Sequence, residues 1–352
     1  MPLRFLSRRR WWLLLLILLP LLVAGGHTLL WRWMGAQIEQ SFAAWADARR
    51  AQGWTIAHGP PEHGGWPFAA TLRLPEIRFV GAAGTVPGGL EWTAETLTLR
   101  VALPNIGELE VEPEGFQRLR LGDAEAPFIA DRMLAVFALE PGVPPRDGRF
   151  AADRLRVGMA GGALELRAAT GRFESRMSAT EAEPALLIAL EARDILLPMP
   201  GPLGRAVTLL QTEVAMTGPI PGGRQPTRRA ATWRDAGGTF DLRSLTLQWG
   251  DVTLEGAATL ALDDQLQPMG AGTLRLTGAS EGLAALAEAG AVGARAAFTA
   301  QAMVAFMGRP GPEGGPPQID VPLTLENRTV AIARIPLARM PALVWPGEGA
   351  AP

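Results

Sequence analysis

The sequence predicts a mainly β (α+β) protein: an N-terminal transmembrane helix, then an elongated, curved antiparallel β-sheet with an apolar concave face and a few short helices. Three observations lead there. Trp11 to Leu30 is a run of twenty residues without a charged side chain. From Trp54 onward, apolar residues recur at every second position in short runs bounded by Gly, Pro, Asp or Asn. Only a few segments keep the helical period of 3.6.

Residues 1–10 read as a basic tail and residues 11–31 as a signal anchor. Twenty residues at about 1.5 Å each span about 30 Å, the thickness of a bilayer's hydrocarbon. Pro20 kinks such a helix without forbidding it. Arg4, Arg8, Arg9 and Arg10 precede the run with no acid among them, whereas Arg32, Arg49 and Arg50 beyond it have Glu39 and Asp47 for company. The positive-inside rule then places the N-terminus in the cytoplasm and the body on the exported side, with a single pass. Ala24-Gly25-Gly26 would suit a signal peptidase, but the apolar run continues through Leu29, Leu30 and Trp31, which favours retention. Trp11, Trp12, Trp31 and Trp33 flank the run as an interfacial belt does.

Residues 32–53 form an amphipathic helix, with Met34, Ile38, Phe42 and Trp45 on one face and Gly53 at its end. Its expected task is to cap the domain that follows. That domain divides into a first β-rich half (54–217), a Pro/Gly/Arg linker (218–238), a second half (239–346) and a short disordered tail (347–352). Strands are expected over Thr71–Leu74, Leu97–Leu103, Glu108–Val111, Arg118–Leu121, Leu155–Met159, Leu164–Ala168, Leu186–Arg193 and Val321–Leu325, each with a greasy and a wet side.

The clearest alternation is SLTLQWGDVTLEGAATLALDDQLQPMGAGTLRLTG, residues 244–278. A two-residue turn at Gly250-Asp251 sets Trp249 opposite Val252 and Leu247 opposite Leu254. Leu245, Leu247, Trp249, Val252, Leu254, Leu260, Leu262, Leu274 and Leu276 then share one face, the candidate hydrophobic groove. Asp263-Asp264 reads as the next turn rather than as paired catalytic carboxylates. LRVGMAGGALEL from Leu155 and LTLQWGDVTLEG from Leu245 hint at duplication, a pattern to which hairpins also converge. Helices are expected at Leu203–Leu210, entered through Pro202; from an N-cap at Ser280 through Leu283 and Leu286 to Gly293; and at Arg295–Met307.

Chemistry is sparsely signalled. With Cys at 0 there is no thiol nucleophile, disulfide or thiolate metal site. All 33 basic residues are Arg, which removes P-loop and Schiff-base lysines. A net charge of -2 gives no field to draw nucleic acid. No serine stands in G-x-S-x-G. His58, Glu62 and His63 could suggest a metal, but Pro60 and Pro61 deny them the helical spacing of HExxH and no third ligand is near. No metal, cofactor or catalytic residue is expected.

On ATWRDAGGTFDLRSLTLQWGDVTLEGAATLALDDQLQPMGAGTLRLTG, the upstream GGWPF and the closing VPLTLENRTVAIARIPLARMPAL, the chain resembles a family of membrane-anchored proteobacterial envelope proteins known as a domain of unknown function. More distantly it is similar to the AsmA-type group, whose signal-anchored β-rich bodies form a curved sheet with an apolar groove linked to lipid handling. Where the family commonly has Asp-Gly before the last strand, this chain has Asn327-Arg328. The resemblance implies a bacterial inner-membrane protein with its bulk in the periplasm, and it brings no catalytic residues. The expected function is non-enzymatic: binding lipid acyl chains or serving outer-membrane upkeep, with the inner membrane (through residues 11–31) and other envelope proteins as partners. The alternative is a structural envelope protein whose apolar face is closed by its own helices around Leu203, Leu283 and Phe298. Fifteen to eighteen strands at about 4.8 Å would extend roughly 70 to 85 Å, too short to bridge two membranes alone.

Overall fold

In the computed structural model the described residues are 5–81, 89–139, 146–176, 183–221, 225–289, 298, 301–302, 308–309, 317–332, 335–343 and 345; the side chains of 5–15, 17, 332, 335 and 337 are not among them. Residues 5–51 make one uninterrupted helix, α1 (Phe5–Ala51), which runs on through Pro20. Its 47 residues extend about 70 Å at about 1.5 Å each, so the expected anchor and amphipathic helix are a single rod. The rod closes where Gly53 enters the left-handed region at φ 90: its N–H bonds the Arg50 carbonyl at 2.9 Å and the Trp54 N–H bonds that of Arg49 at 3.1 Å. This is the Schellman pattern, and glycine enters it without a Cβ penalty.

The first described side chains of α1 are bare, with Leu16, Leu18, Leu19, Leu21, Leu22 and Val23 between 55 and 72% exposed. Contact with the body starts at His27. Met34 and Ile38 then bury against Leu72, Leu74, Leu97 and Leu99, with Trp31 and Phe42 packed beside them. The four-residue spacing does what it implied, seating one helical face on the sheet. Among the described residues no helix is long and apolar enough to cross a membrane.

Among the described residues, seventeen strands form one antiparallel sheet. They are β1 (Thr55–Ala57), β2 (Glu62–Gly64), β3 (Ala69–Val80), β4 (Leu90–Ala102), β5 (Glu108–Leu121), β6 (Ala124–Ile129), β7 (Arg132–Ala138), β8 (Asp147–Met159) and β9 (Gly162–Ser175). After these come β10 (Pro184–Gly201), β11 (Gly204–Thr217), β12 (Phe240–Trp249), β13 (Val252–Leu262), β14 (Pro268–Thr277), β15 (Gln318–Glu326), β16 (Thr329–Ile332) and β17 (Ile335–Arg339). The path is a meander. β1 and β2 both pair with β3, β6 and β7 both bridge β5 to β8, and otherwise each strand from β3 to β17 pairs with its successor.

Directly opposed residues share a face, so the registers trace one line across the sheet. It runs Leu72–Leu99–Val111–Ala135–Phe150–Gly171–Leu190 and on through Thr212–Leu245–Gly256–Leu274–Val321. Apart from Thr212, every member is apolar. The other face carries cross-strand ion pairs such as Arg100–Glu110 at 2.7 Å and Arg275–Asp320 at 2.8 Å.

A transverse crease interrupts the alternation. Glu76 in β3, Arg154 in β8 and Asp194 in β10 have φ of 52, 47 and 50, a region non-glycine residues rarely enter, and Gly115 in β5 has φ 78. Register pairs on either side keep these positions in line across neighbouring strands. Beyond the crease the apolar parity shifts by one, from Leu72 and Leu74 to Ile77 and from Phe150 and Ala152 to Leu155, so the same face stays apolar.

Three expectations are corrected. Leu203–Leu210 is not a helix: Pro202-Leu203 is a two-residue turn between Gly201 and Gly204, and the rest joins β11, because its neighbours on both sides supply strand hydrogen bonds. Residues 218–238 contain a helix, α2 (Pro226–Asp235), with its proline at the first turn, and the strands flanking them, β11 and β12, pair directly. Helix α3 (Ala279–Glu288) starts before Ser280 and is entered from Gly278 at φ 72, where a Cβ would lie 2.2 Å from the Asp251 carbonyl oxygen. It ends at Ala289, and Gly293 lies outside the described residues. Of the expected helix at 295–307, only 298, 301 and 302 are described, and they are helical.

Candidate hydrophobic binding face

The stretch from Ser244 folds as its alternation implies. Trp249 opposes Val252 and Leu247 opposes Leu254 across the Gly250-Asp251 turn, in which Gly250 has φ 57. Leu254 next faces Leu276, Gly256 faces Leu274, Leu260 faces Gly270 and Leu262 faces Pro268. Leu245, whose partner is Gly256, completes the set. All nine predicted residues thus meet on one face, and all nine are half-buried.

Among the described residues, helices pack near both ends of this face, and α2 also touches β13. At one end, α1 lies over β3 and β4. At the other, Leu283 of α3 packs with Leu276 and Val321 around buried Ala279 and Ile319, and Gly282 sits so close to Val252 that a Cβ would lie 2.6 Å from its Cγ2. Between them Leu190 is 43%, Leu210 37% and Phe240 41% exposed. Leu203 touches the α3 end from the β10–β11 turn, while Phe298 is 73% exposed.

The face is crowded toward its backbone. A Cβ on Gly270 would lie 2.1 Å from the Thr259 carbonyl oxygen, and one on Gly272 would lie 2.4 Å from that of Ala257. Phe137 and Phe173 lean over Gly148, and Phe150 and Leu190 over Gly171. Trp249 is fixed rather than free: its indole N–H donates to the Gly204 carbonyl at 3.1 Å, and its ring lies across Gly201.

The face extends further than the alternation of residues 244–278 reveals. Phe137, Phe150 and Phe173 belong to it, and in β8 the crease at Arg154 breaks the alternation that would have revealed Phe150. Buried Gln117 was also missed; it accepts from the Trp92 indole at 3.3 Å. Among the described residues, no buried side-chain nitrogen or oxygen lacks a partner.

The histidine loop diverges. His63 Nε2 lies 3.1 Å from the Glu39 carboxylate of α1, His58 Nδ1 bonds its neighbour's carbonyl at 2.7 Å, and Glu62 sits opposite Arg73. The loop therefore docks α1 to the sheet. Among the described residues no group of three His, Cys, Asp or Glu could hold a metal ion. Asp263 Oδ1 accepts the backbone N–H groups of Gln265 and Gln267 at 2.8 Å each, which is a turn's geometry.

Electrostatics belong to the wet face. Arg78, by hydrogen bonding, and then Arg120 hold the Glu91 carboxyl below its ordinary range, at 2.8 and 2.6 Å. Arg275 does the same to Asp320, which in turn raises Arg275. A mixed-charge cleft of about 950 Å³ opens at the end of β7–β9, where Arg149 and Arg172 face each other and are offset by Glu108 and Glu213.

A family model described as an uncharacterized protein conserved in bacteria (DUF2125) matches residues 31–341. No curated protein and no solved structure matches the chain.

Proposed function

The chain belongs to the DUF2125 family of conserved bacterial proteins, and on that premise we propose a non-enzymatic envelope protein. Residues 11–31 hold it in the inner membrane as a single-pass anchor, its β-rich body stands in the periplasm, and its apolar sheet face shelters lipid acyl chains. The observation that carries the reading is a face that runs across twelve strands, apolar at every position of one register line but Thr212, with Leu190, Leu210 and Phe240 left 37 to 43% exposed among the described residues.

An apolar surface left to water costs about 25 cal/mol per Å², so the middle of this face calls for an occupant. Acyl chains suit it because it offers length and grease but no directed polar groups. Crowding at Gly270 and Gly272 supports a concave face, since the inner side of a bend has least room for side chains. The bare apolar start of α1 supports the anchor on the same ground: Leu16, Leu18, Leu19, Leu21, Leu22 and Val23 are 55 to 72% exposed among the described residues.

Lipid extracted from protein purified in mild detergent, and read by mass spectrometry, tests the ligand. Wild type should carry phospholipid; Leu247→Glu should lose it while melting within a few degrees of wild type. A closed core behaves otherwise, because an unpaired charge buried there costs several kcal/mol. Collapse of the variant, with no lipid in either protein, would favour the structural reading. For topology, a reporter fused after Pro346 should be active only on the exported side, and N-terminal sequencing of mature protein that starts at His27 would defeat the anchor.

A further inference from the structure

We infer that the loop Gly65-Trp66-Pro67-Phe68 is a second membrane contact, inserting its aromatic side chains into the headgroup–acyl boundary beside the point where α1 leaves the bilayer. This rests on the anchor reading above. Trp66 is 57% and Phe68 77% exposed, far more than aromatic residues in a satisfied core.

Their position is fixed, not incidental. His27 Nε2 donates to the Pro67 carbonyl at 2.6 Å, and the Trp31 indole donates to the carbonyls of Gly64 at 3.2 Å and Ala69 at 2.8 Å. These bonds hold the loop level with residues 27–31, the end of the apolar run. The Phe68 carbonyl accepts from Leu103 N–H at 3.0 Å, which brings in the β4–β5 loop and Ile106, itself 59% exposed. Trp33, 61% exposed, lies at the same level on the side of α1 turned away from Trp31.

Residues 64–68 and 103–107 contain no charged side chain. The patch is continuous with the bare part of α1, where Leu29 is 70% and Leu30 41% exposed. Tryptophan and phenylalanine at that level match the interfacial belt of membrane proteins, and Arg32 beside them suits lipid phosphates. A bilayer surface accounts for helix and loops together. Two contacts at one level would fix the tilt of α1 and its rotation about its axis, and so the direction in which the apolar face opens.

The cysteine-free chain permits a clean test. Single-cysteine variants Leu22→Cys, Phe68→Cys and Met199→Cys of the full chain are spin-labelled and reconstituted in vesicles of phosphatidylethanolamine and phosphatidylglycerol. Accessibility to oxygen is then compared with accessibility to a water-soluble nickel chelate. The expected order is hydrocarbon at 22, headgroup boundary at 68 and water at 199, with the oxygen-to-nickel ratio at 68 several-fold above that at 199. Water-like values at 68 with hydrocarbon values at 22 overturn the loop contact and leave the anchor standing. Water-like values at both overturn the anchor and the inference with it. Protection of 68 from both reagents identifies a protein as the occupant and overturns the inference too.

Discussion

Glu91 holds two guanidinium groups, one on each neighbouring strand, and this makes part of the sheet's stability acid-sensitive. Its carboxyl ionises below the ordinary range when folded and returns to it when unfolded, so the contribution is full above the ordinary value of 4.5 and is lost as pH falls through the lowered one. Glu91→Gln should therefore melt below wild type at neutral pH, with the gap closing under pH 4.5; a constant gap would assign its effect to packing alone. Asn327 and Arg328 have φ of 50 and 63, a type I′ turn between β15 and β16 in which arginine replaces the usual glycine. Since a side chain in the left-handed region costs roughly 1–2 kcal/mol, Arg328→Gly should gain about 1 kcal/mol in urea unfolding after glycine's extra chain entropy is deducted.

Among the elements, β14 is tightly constrained, because Gly270 and Gly272 leave no room for a Cβ beside β13. Gly272→Val should cost about 1–3 kcal/mol by overpacking, measured as a lower denaturation midpoint, and should reduce retained lipid by straightening the bend. Strand identity was legible wherever period-two alternation ran unbroken: the β12–β13 hairpin has the expected register, and its seven apolar residues share a face with Leu274 and Leu276 of β14. Alternation says nothing of partners two or more strands away, so the reach of the same face back to Phe150 and Leu72 was not legible. Leu203–Leu210 misled because Pro202 before an apolar run is as good a helix start as it is a turn. The crease at Glu76, Arg154 and Asp194 was invisible for a further reason, since nothing about a charged side chain announces a positive φ.

At the scale of the molecule, the sheet does not stop at the middle of the chain. β11 and β12 pair through nine positions, from Val207↔Trp249 to Met216↔Phe240, on either side of residues 218–238. A protease site inserted after Pro221 and cut in the folded protein should leave the two pieces co-eluting in gel filtration, and their separation without denaturant would show two independent units. Counting β1 with β2 and β6 with β7 as shared rows, the sheet has fifteen rows and extends about 67 Å at about 4.8 Å per step, a local platform rather than a bridge. Because strand neighbours in the meander are also chain neighbours, nearly every pairing closes a short loop and contact order stays low. Such a sheet can grow from its N-terminal end, each new strand zipping onto an edge already made, so that assembly can keep pace with a chain delivered one residue at a time. The edge that moves during such growth is always the strand most recently added, while the opposite edge is closed off early by the short β1 and β2.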